Sequence, residues 1–188
     1  PYLRVIDRNA ERLSHLVDDL LELSRVENQK APLRTDDIDL GSLVRNLLED
    51  LAPRLEEAEI AASVASEGEI FARADRRAVD RILVNLIDNA IKYSNSGDSL
   101  SVSIAQSGDR ARIDVADTGI GIPEEDQSRI FERFYRVDMA RSRALGGTGL
   151  GLAIVKHLAQ AMGGEVHFKS RAGEGSTFHV VLPLSDGN

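Results

Sequence analysis

The chain has 188 residues, with 23 lysines and arginines against 31 aspartates and glutamates, so its formal net charge is −8. Apolar residues make up 42% and charged residues 29%, the composition of an ordinary globular domain. The absence of cysteine excludes disulfides, thiolate nucleophiles and Cys-type zinc or iron–sulfur sites. The acidic balance is untypical of nucleic-acid-binding domains, and no apolar run approaches the roughly 20 residues of a membrane span.

Residues 1–30 show helical periodicity. Apolar residues recur at spacings of three and four, at Leu3, Ile6, Ala10, Leu13, Val17 and Leu20. This seam is typical of a helix in a bundle, and the helices that would pair with it lie outside this sequence. Pro32 ends the helical pattern, because the residue before a proline disfavours helical geometry. We therefore divide the chain into a helical segment, 1–31, and a larger domain, 32–188.

The larger domain alternates between strand and helix patterns. The expected order is a strand at 33–40, a helix at 41–59, strands at 60–65 and 70–74, a helix at 76–93 that Asp75 caps, a hairpin, an irregular stretch at 118–147, a helix at 148–162 and two final strands. This order predicts an α+β fold, a two-layer sandwich of one mixed sheet with helices on one face.

The helix at 76–93 carries a polar stripe. At 100° per residue, Asn85, Asn89 and Lys92 fall on one side of it, beside the apolar face. Two amide oxygens and one ammonium group are suited to a hard cation such as magnesium together with phosphate. The alternative is that these asparagines simply face water.

Asp117 ends a predicted strand and precedes Thr118-Gly119-Ile120-Gly121. Strand alternation places its carboxylate on the core face, where it needs a hydrogen-bond donor. The exocyclic amine of adenine would supply that donor, whereas guanine has a carbonyl at that position. The alternative is a plain turn at the end of a hairpin strand.

Ten of the 15 glycines lie between Gly119 and Gly175. One cluster, from Leu145 to Leu152, lies at the N-terminus of the helix predicted at 148–162, and the exposed amides of a helix N-terminus favour phosphate. The irregular stretch before it carries five arginines against two acids between positions 129 and 143. A basic loop in an acidic protein indicates an anionic ligand.

Taken in this order, these motifs resemble those of the histidine-kinase family of bacterial two-component systems. The stretch from Asn85 to Tyr93 is similar to its N box, and the stretch from Asp117 to Gly121 to its G1 box. The F box is similar to the residues from Phe131 to Arg136, and the G2 box to those from Gly147 to Leu152. The turn from Gly173 to Phe178 is similar to the final glycine turn of the family.

The resemblance implies a Bergerat-type ATP site, shared with Hsp90, gyrase and MutL, with ATP and Mg²⁺ as cofactors. By that pattern Asn89 ligates magnesium and Asn85 assists, while Lys92, Arg133 and Arg136 meet the phosphates. Asp117 reads adenine. The remaining residues expected at the nucleotide are Tyr93, Gly119, Gly121, Ile122, Phe134, Gly147, Thr148, Gly149, Leu150, Gly151, Leu152 and Thr177.

The resemblance also implies partners and a reaction. Residues 1–31 are similar to the second helix of the dimerisation and phosphoacceptor hairpin, so the expected partners are that hairpin's acceptor helix in a homodimer and a response regulator. We expect no nucleic acid and no membrane contact by this part. The family implies a cytoplasmic domain of a membrane-anchored sensor. Its acceptor motif, a histidine followed by an acid and by proline five residues on, matches none of His15, His157, His167 and His179.

Two other functions stay open at this point. One is a regulatory module that binds nucleotide without kinase activity. The other is an ATPase of the chaperone or topoisomerase type. In those enzymes a glutamate that activates water stands where this chain has Asn85, and asparagine is not a usable base at neutral pH.

Overall fold

The computed structural model describes residues 33–137 and 147–185, together with residues 10, 13–14, 16–21 and 23–24 of the N-terminal segment. These N-terminal residues are helical. His15 and the predicted boundary at 31–32 lie outside the described residues.

In its described part, the domain contains seven strands and four helices. They are β1 (Asp36–Asp39), α1 (Leu40–Glu57), β2 (Ala61–Ser66), β3 (Phe71–Ala74), α2 (Arg76–Tyr93), β4 (Ser99–Ser107), β5 (Arg110–Asp117), α3 (Glu124–Gln127), α4 (Gly151–Ala161), β6 (Glu165–Arg171) and β7 (Gly175–Ser185). The two-layer α+β sandwich predicted from the sequence is confirmed.

The strands form one mixed sheet in the order β1-β3-β7-β5-β4-β2, and β6 also pairs with β7. All pairs are antiparallel except β2 with β4. The long strand β7 joins the two parts of the sheet, because it pairs with β5 through Ser176–Pro183 and with β3 through its last residues.

Helices α1, α2 and α4 cover one face of the sheet and bury its apolar side chains. Ala111, Ile113 and Val115 alternate along β5 into this core, and each is at most 2% exposed. They meet the apolar side of α2, where Ile82 and Leu86 are equally buried. The core therefore fixes α2 and β5 relative to each other, and these two elements hold most of the predicted site.

Aspartate side chains set where two helices begin. Asp75 accepts hydrogen bonds from the amides of Arg77 and Ala78, so α2 begins at Arg76 as predicted. Asp39 accepts from the amide and the hydroxyl of Ser42, and this hydroxyl lowers the pKa of the Asp39 carboxyl below its ordinary value. The strand expected at 33–40 is consequently shorter, since Asp39 ends it and starts α1.

The helix expected at 148–162 begins later, at Gly151. The amide of Leu150 donates to the Thr148 hydroxyl at 3.2 Å, which holds the preceding residues in a turn. The glycine-rich cluster is therefore a loop that leads into the first turn of α4.

Two predicted surface histidines lie on the sheet face away from the helices. His167 is exposed and lies 3.2 Å from Glu165. His179 contacts Asp114 at 2.7 Å on the neighbouring strand. Strand alternation explains both positions, because Phe178 and Val180 point into the core.

Candidate active site

A cavity of about 530 Å³ lies between α2, the end of β5, the loop into α4 and β7. Its volume is in the range of small-molecule sites. It is lined by Asp19, Arg81, Val84, Asn85, Asp88, Asn89, Lys92, Tyr93, Asp117, Ile120, Gly121, Ile122, Ile130, Tyr135, Arg136, Val137, Gly147, Thr148, Gly149, Gly151, Leu152, Ser176 and Phe178.

The predicted stripe of α2 forms one wall. Asn85, Asn89 and Lys92, one helical turn apart in succession, all line the cavity. Among the residues that the structure describes, the Asn89 amide and the Lys92 ammonium group hydrogen-bond to no protein atom. Both groups are thus available to a ligand, and their stripe borders the core as the sequence predicted.

Asn85 is held in one orientation. Its amide nitrogen donates to the Arg81 carbonyl at 2.8 Å, so its Oδ1 is the atom left to face α4. A Cβ added at Gly151 would lie 2.7 Å from that oxygen. The close approach of Gly151 therefore leaves room for the oxygen of Asn85 between the two helices.

Replacing Gly151 with alanine is expected to displace Asn85 and lower nucleotide affinity by about 10-fold, because a methyl group cannot occupy the space beside Oδ1. Calorimetric titration with a non-hydrolysable ATP analogue measures this. Gly41→Ala is the matched control in the first turn of α1, where the new Cβ would lie 3.3 Å from the Arg45 guanidinium and 3.4 Å from Oδ1 of Asp39. Equal affinity of both variants for the analogue would contradict this role of Gly151.

The side chains of Asn85 and Asn89 offer amide oxygens to a metal in this cavity. Within the described ranges, no group of three or more His, Cys, Asp or Glu side chains could hold a metal. Asn85 Oδ1 and the Asn89 amide would supply two neutral oxygens, which suit Mg²⁺ when phosphate oxygens and water provide its other ligands. Asn85 and Asn89 thus fit a magnesium ion bound together with a nucleotide.

Asp117 forms the opposite end of the cavity. Its Oδ1 accepts the amide of Gly119 at 2.9 Å. Burial raises the pKa of the Asp117 carboxyl above its ordinary value, and the hydrogen bond from Gly119 opposes that rise. The amide of Ile120 donates to the Tyr93 carbonyl at 3.0 Å, which joins this turn to the end of α2.

The segment from α3 to residue 137 covers one side of the cavity. The Arg129 guanidinium stacks 4.2 Å from the centre of the Tyr135 ring, and the Tyr135 hydroxyl donates to Asp126. Arg136 lines the cavity and donates to the carbonyl of Gly147. The arginines Arg141 and Arg143 of the predicted basic loop lie outside the described residues.

A backbone contact, which we call the clasp, joins this segment to the glycine-rich loop. The amide of Phe134 donates to the Gly149 carbonyl at 2.8 Å. Both residues have left-handed backbones, with φ of 62° and 75°. A Cβ at Gly149 would lie 2.9 Å from the Phe134 backbone, so glycine is required there.

Five residues predicted at the nucleotide do not line the cavity. Leu150 is fully buried in the core, and Gly119 supports Asp117 through its amide. Arg133 and Phe134 are exposed. The alternation of β7 places Ser176 and Phe178 at the cavity and Thr177 on the opposite face of the sheet, so a contact of Thr177 with the nucleotide stays a prediction.

Several cavity residues were missed by sequence reasoning. Ser176 and Phe178 follow from the alternation of β7, and Arg81 lies one turn before Asn85 on the same side of α2. Asp88 lies between the two asparagines and is paired with Arg54 of α1 at 2.8 Å. Ser176 and Phe178 lie within the glycine turn that the sequence analysis singled out, whereas Arg81 and Asp88 are ordinary helix-surface residue types with no local signal.

Asp19 reaches the cavity from the N-terminal helical segment. It is 8% exposed, and it accepts hydrogen bonds from Arg81 at 2.5 Å and from Thr148 at 3.0 Å. Leu23 of the same segment is buried in the core, whereas Leu13 and Val17 of the predicted seam are 62% and 54% exposed. The segment therefore rests on the domain with its seam turned outward.

A sheet covered by helices on one face, with a cavity of amide, cationic and carboxylate groups beside it, has the form of a nucleotide-binding domain. A family model described as histidine kinase-, DNA gyrase B- and HSP90-like ATPase matches residues 74–186. The chain belongs to this family and, within it, to the ATP-binding catalytic portion of sensor histidine kinases.

Three relatives illustrate the likeness. The sensor-like histidine kinase SenX3 of Mycobacterium tuberculosis is 40% identical over 174 residues, which are 93% of this chain and 42% of SenX3. The structure of the histidine kinase AdeS of Acinetobacter baumannii matches with a TM-score of 0.80 and 30% identity, over 98% of this chain and 84% of that one. Full-length ShkA in complex with AMPPNP matches with a TM-score of 0.84 and 31% identity, over 98% of this chain and 38% of ShkA.

The chain spans less than half the length of the curated relatives that it matches first. Among the helices in the described part of the chain, none has both the length and the apolar character needed to cross a bilayer.

Proposed function

We propose that this chain binds ATP with Mg²⁺ in the cavity and transfers the γ-phosphoryl group to a histidine nitrogen on a phosphoacceptor helix outside this sequence. In this step the bond between the γ-phosphorus and the bridging oxygen breaks, and ADP leaves with the electron pair. A phosphorus–nitrogen bond forms, and the imidazole releases a proton to water.

The cavity groups supply binding and orientation for this reaction. Asp117 accepts a hydrogen bond from the exocyclic amine of adenine, and Tyr93 lines the pocket for the base. Lys92 and Arg136 donate hydrogen bonds to the phosphates, and the backbone amides at the start of α4 also donate to the phosphate oxygens. Asn89, assisted by Asn85, holds Mg²⁺, which when bound neutralises phosphate charge. Catalysis of phosphoryl transfer consists mainly of such positioning and charge neutralisation.

The observation that carries the proposal is the amide of Asn85. Its nitrogen is fixed on the Arg81 carbonyl, so position 85 presents a neutral oxygen and no base for water. Of the three acids that line the cavity, Asp19 and Asp88 are each paired with an arginine, and Asp117 is assigned to the base. This favours transfer to a protein side chain over ATP hydrolysis.

The whole protein is proposed to act as a membrane-anchored sensor kinase whose phosphohistidine serves a response regulator. Residues 1–31 would then belong to the dimeric acceptor hairpin and residues 32–188 to a catalytic domain in the cytoplasm. The names of the relatives as sensor kinases and the outward seam of Leu13 and Val17 support this arrangement.

The test is labelling of the acceptor hairpin. The hairpin of the full-length protein, supplied as a separate polypeptide, is expected to gain label from γ-labelled ATP when mixed with this chain. A hairpin with glutamine in place of its acceptor histidine is the control. Nucleotide binding without any labelling would instead support a regulatory module, and steady ATP hydrolysis would support an ATPase.

A further inference from the structure

The carboxylate of Asp19 joins the N-terminal helical segment to the nucleotide cavity. Oδ1 accepts from the Arg81 guanidinium at 2.5 Å, and Oδ2 accepts from the Thr148 hydroxyl at 3.0 Å. The side chain is almost wholly buried, and both oxygens have donors. An acidic group thus occupies the wall of a cavity that is proposed to receive a triphosphate.

A phosphate would use the same donors. Thr148 lines the cavity in the loop that leads into α4, and Arg81 lines it one turn before Asn85 on α2. A phosphate and the Asp19 carboxylate cannot both accept the same hydrogen bonds from Thr148 and Arg81, and the two anions repel each other in a partly desolvated site. The phosphates and Asp19 are therefore in competition.

We propose that Asp19 is a positioning residue that opposes phosphate binding and links it to the N-terminal segment, so that a bound triphosphate releases the segment from the catalytic domain. The proposal rests on the proposed nucleotide site. Binding of the segment to the domain and binding of ATP then oppose each other. By thermodynamic linkage, the docked segment lowers the affinity for ATP by the same factor by which bound ATP lowers the affinity of the segment for the domain.

The contacts of Asp19 lie between the catalytic domain and the N-terminal segment. Arg81 and Thr148 belong to the domain, whereas Asp19 belongs to the segment that would form part of the acceptor hairpin. When the phosphates take Thr148, only apolar contacts such as that of the buried Leu23 still hold the segment, so the domain changes its position relative to that hairpin more readily. Nucleotide occupancy would in this way be reported to the part of the protein that receives the phosphoryl group.

The test compares Asp19→Asn with the wild-type chain by calorimetric titration. Asparagine keeps the size and one acceptor but removes the charge, so affinity for the triphosphate analogue AMPPNP is expected to rise about 5-fold or more. Affinity for adenosine, which has no phosphates, is expected to stay the same. Asp18→Asn is the matched control, because Asp18 is the exposed neighbour in the same helical segment.

The titration distinguishes a failure of the role of Asp19 from a failure of the proposed nucleotide site. Equal AMPPNP affinity of Asp19→Asn and wild type, or a gain that also appears with adenosine, would overturn the role of Asp19 while leaving the nucleotide site intact. Failure of wild type and variant alike to bind AMPPNP would instead overturn the proposed function. Thermal unfolding without nucleotide shows whether the variant is folded.

A second measurement follows the release itself. Because the chain has no native cysteine, spin labels can be placed at Leu20→Cys in the segment and Arg77→Cys on α2, both exposed positions. AMPPNP is expected to lengthen and broaden the distance between the labels, and adenosine to leave it unchanged. An unchanged distance at saturating AMPPNP would contradict the release.

Discussion

Replacing Asp117 with asparagine is expected to lower nucleotide affinity by about 10- to 100-fold, the effect of losing a hydrogen bond to a charged group. The amide of Gly119 donates to Oδ1 of Asp117, so the asparagine must turn its carbonyl to Gly119 and its NH₂ group to the ligand. That NH₂ would face the exocyclic amine of adenine, and two donors repel. Calorimetric titration with AMPPNP measures the loss.

Asp114→Asn is the matched control for this substitution. Asp114 lies on the same strand but on the opposite face of the sheet, where it contacts His179 at 2.7 Å. Its replacement is expected to leave AMPPNP affinity unchanged. If both variants bound AMPPNP as tightly as the wild type, Asp117 would not be the group that reads the base.

The same substitution has an expected effect on stability. Burial raises the pKa of Asp117, so the folded chain holds this proton more tightly than the unfolded chain does. Its contribution to the free energy of unfolding is therefore present below the ordinary carboxyl pKa and is lost as the pH rises through the raised pKa. Without nucleotide, urea unfolding should show Asp117→Asn gaining stability relative to wild type over that rise. A relative gain by the wild type would contradict this.

Replacing Asn89 with alanine is expected to reduce phosphoryl transfer to the hairpin by about 100-fold or more, as for loss of a single group that stabilises developing charge. The amide of Asn89 lines the cavity, and among the described residues it bonds to no protein group. Its removal should therefore cost the domain little stability. Transfer is measured with γ-labelled ATP, and AMPPNP affinity is measured with and without Mg²⁺.

In the Asn89→Ala variant, Mg²⁺ is expected to improve AMPPNP affinity much less than in the wild type, and adenosine affinity should not change. Asn95→Ala serves as the control, since Asn95 is exposed in the turn after α2. A variant that kept both its full response to Mg²⁺ and its transfer rate would show that Asn89 does not hold the ion.

Local patterns were enough to predict the wall of the cavity on α2. A cap at Asp75, an apolar face at helical spacing and a polar stripe from Asn85 to Lys92 all lie within 20 residues, and each depends on geometry internal to one helix. The same holds for β5, whose alternation placed Asp117 on the core side. The family resemblance then connected these stretches to one ligand.

Positions that depend on distant parts of the chain were not predicted. Asp19 meets Thr148 across 129 positions of sequence, and a lone aspartate on a helical surface gives no sign of such a contact. Thr177 was assigned to the nucleotide by motif, although the pairing of Ala116 with Thr177 places it on the outer face. The helix expected from residue 148 begins only at Gly151, because the Thr148 hydroxyl accepts the amide of Leu150 and holds the preceding residues in a turn.

The clasp has a consequence for which substitutions this protein tolerates. It consists of a backbone hydrogen bond, and the exposed side chain of Phe134 takes no part in it, so many residue types at position 134 would preserve it. A left-handed backbone costs a residue other than glycine about 1–3 kcal/mol of conformational free energy, and Phe134 carries this cost in the folded state. At Gly149 even one added carbon meets the facing chain. The clasp therefore tolerates substitution at position 134 and requires glycine at position 149.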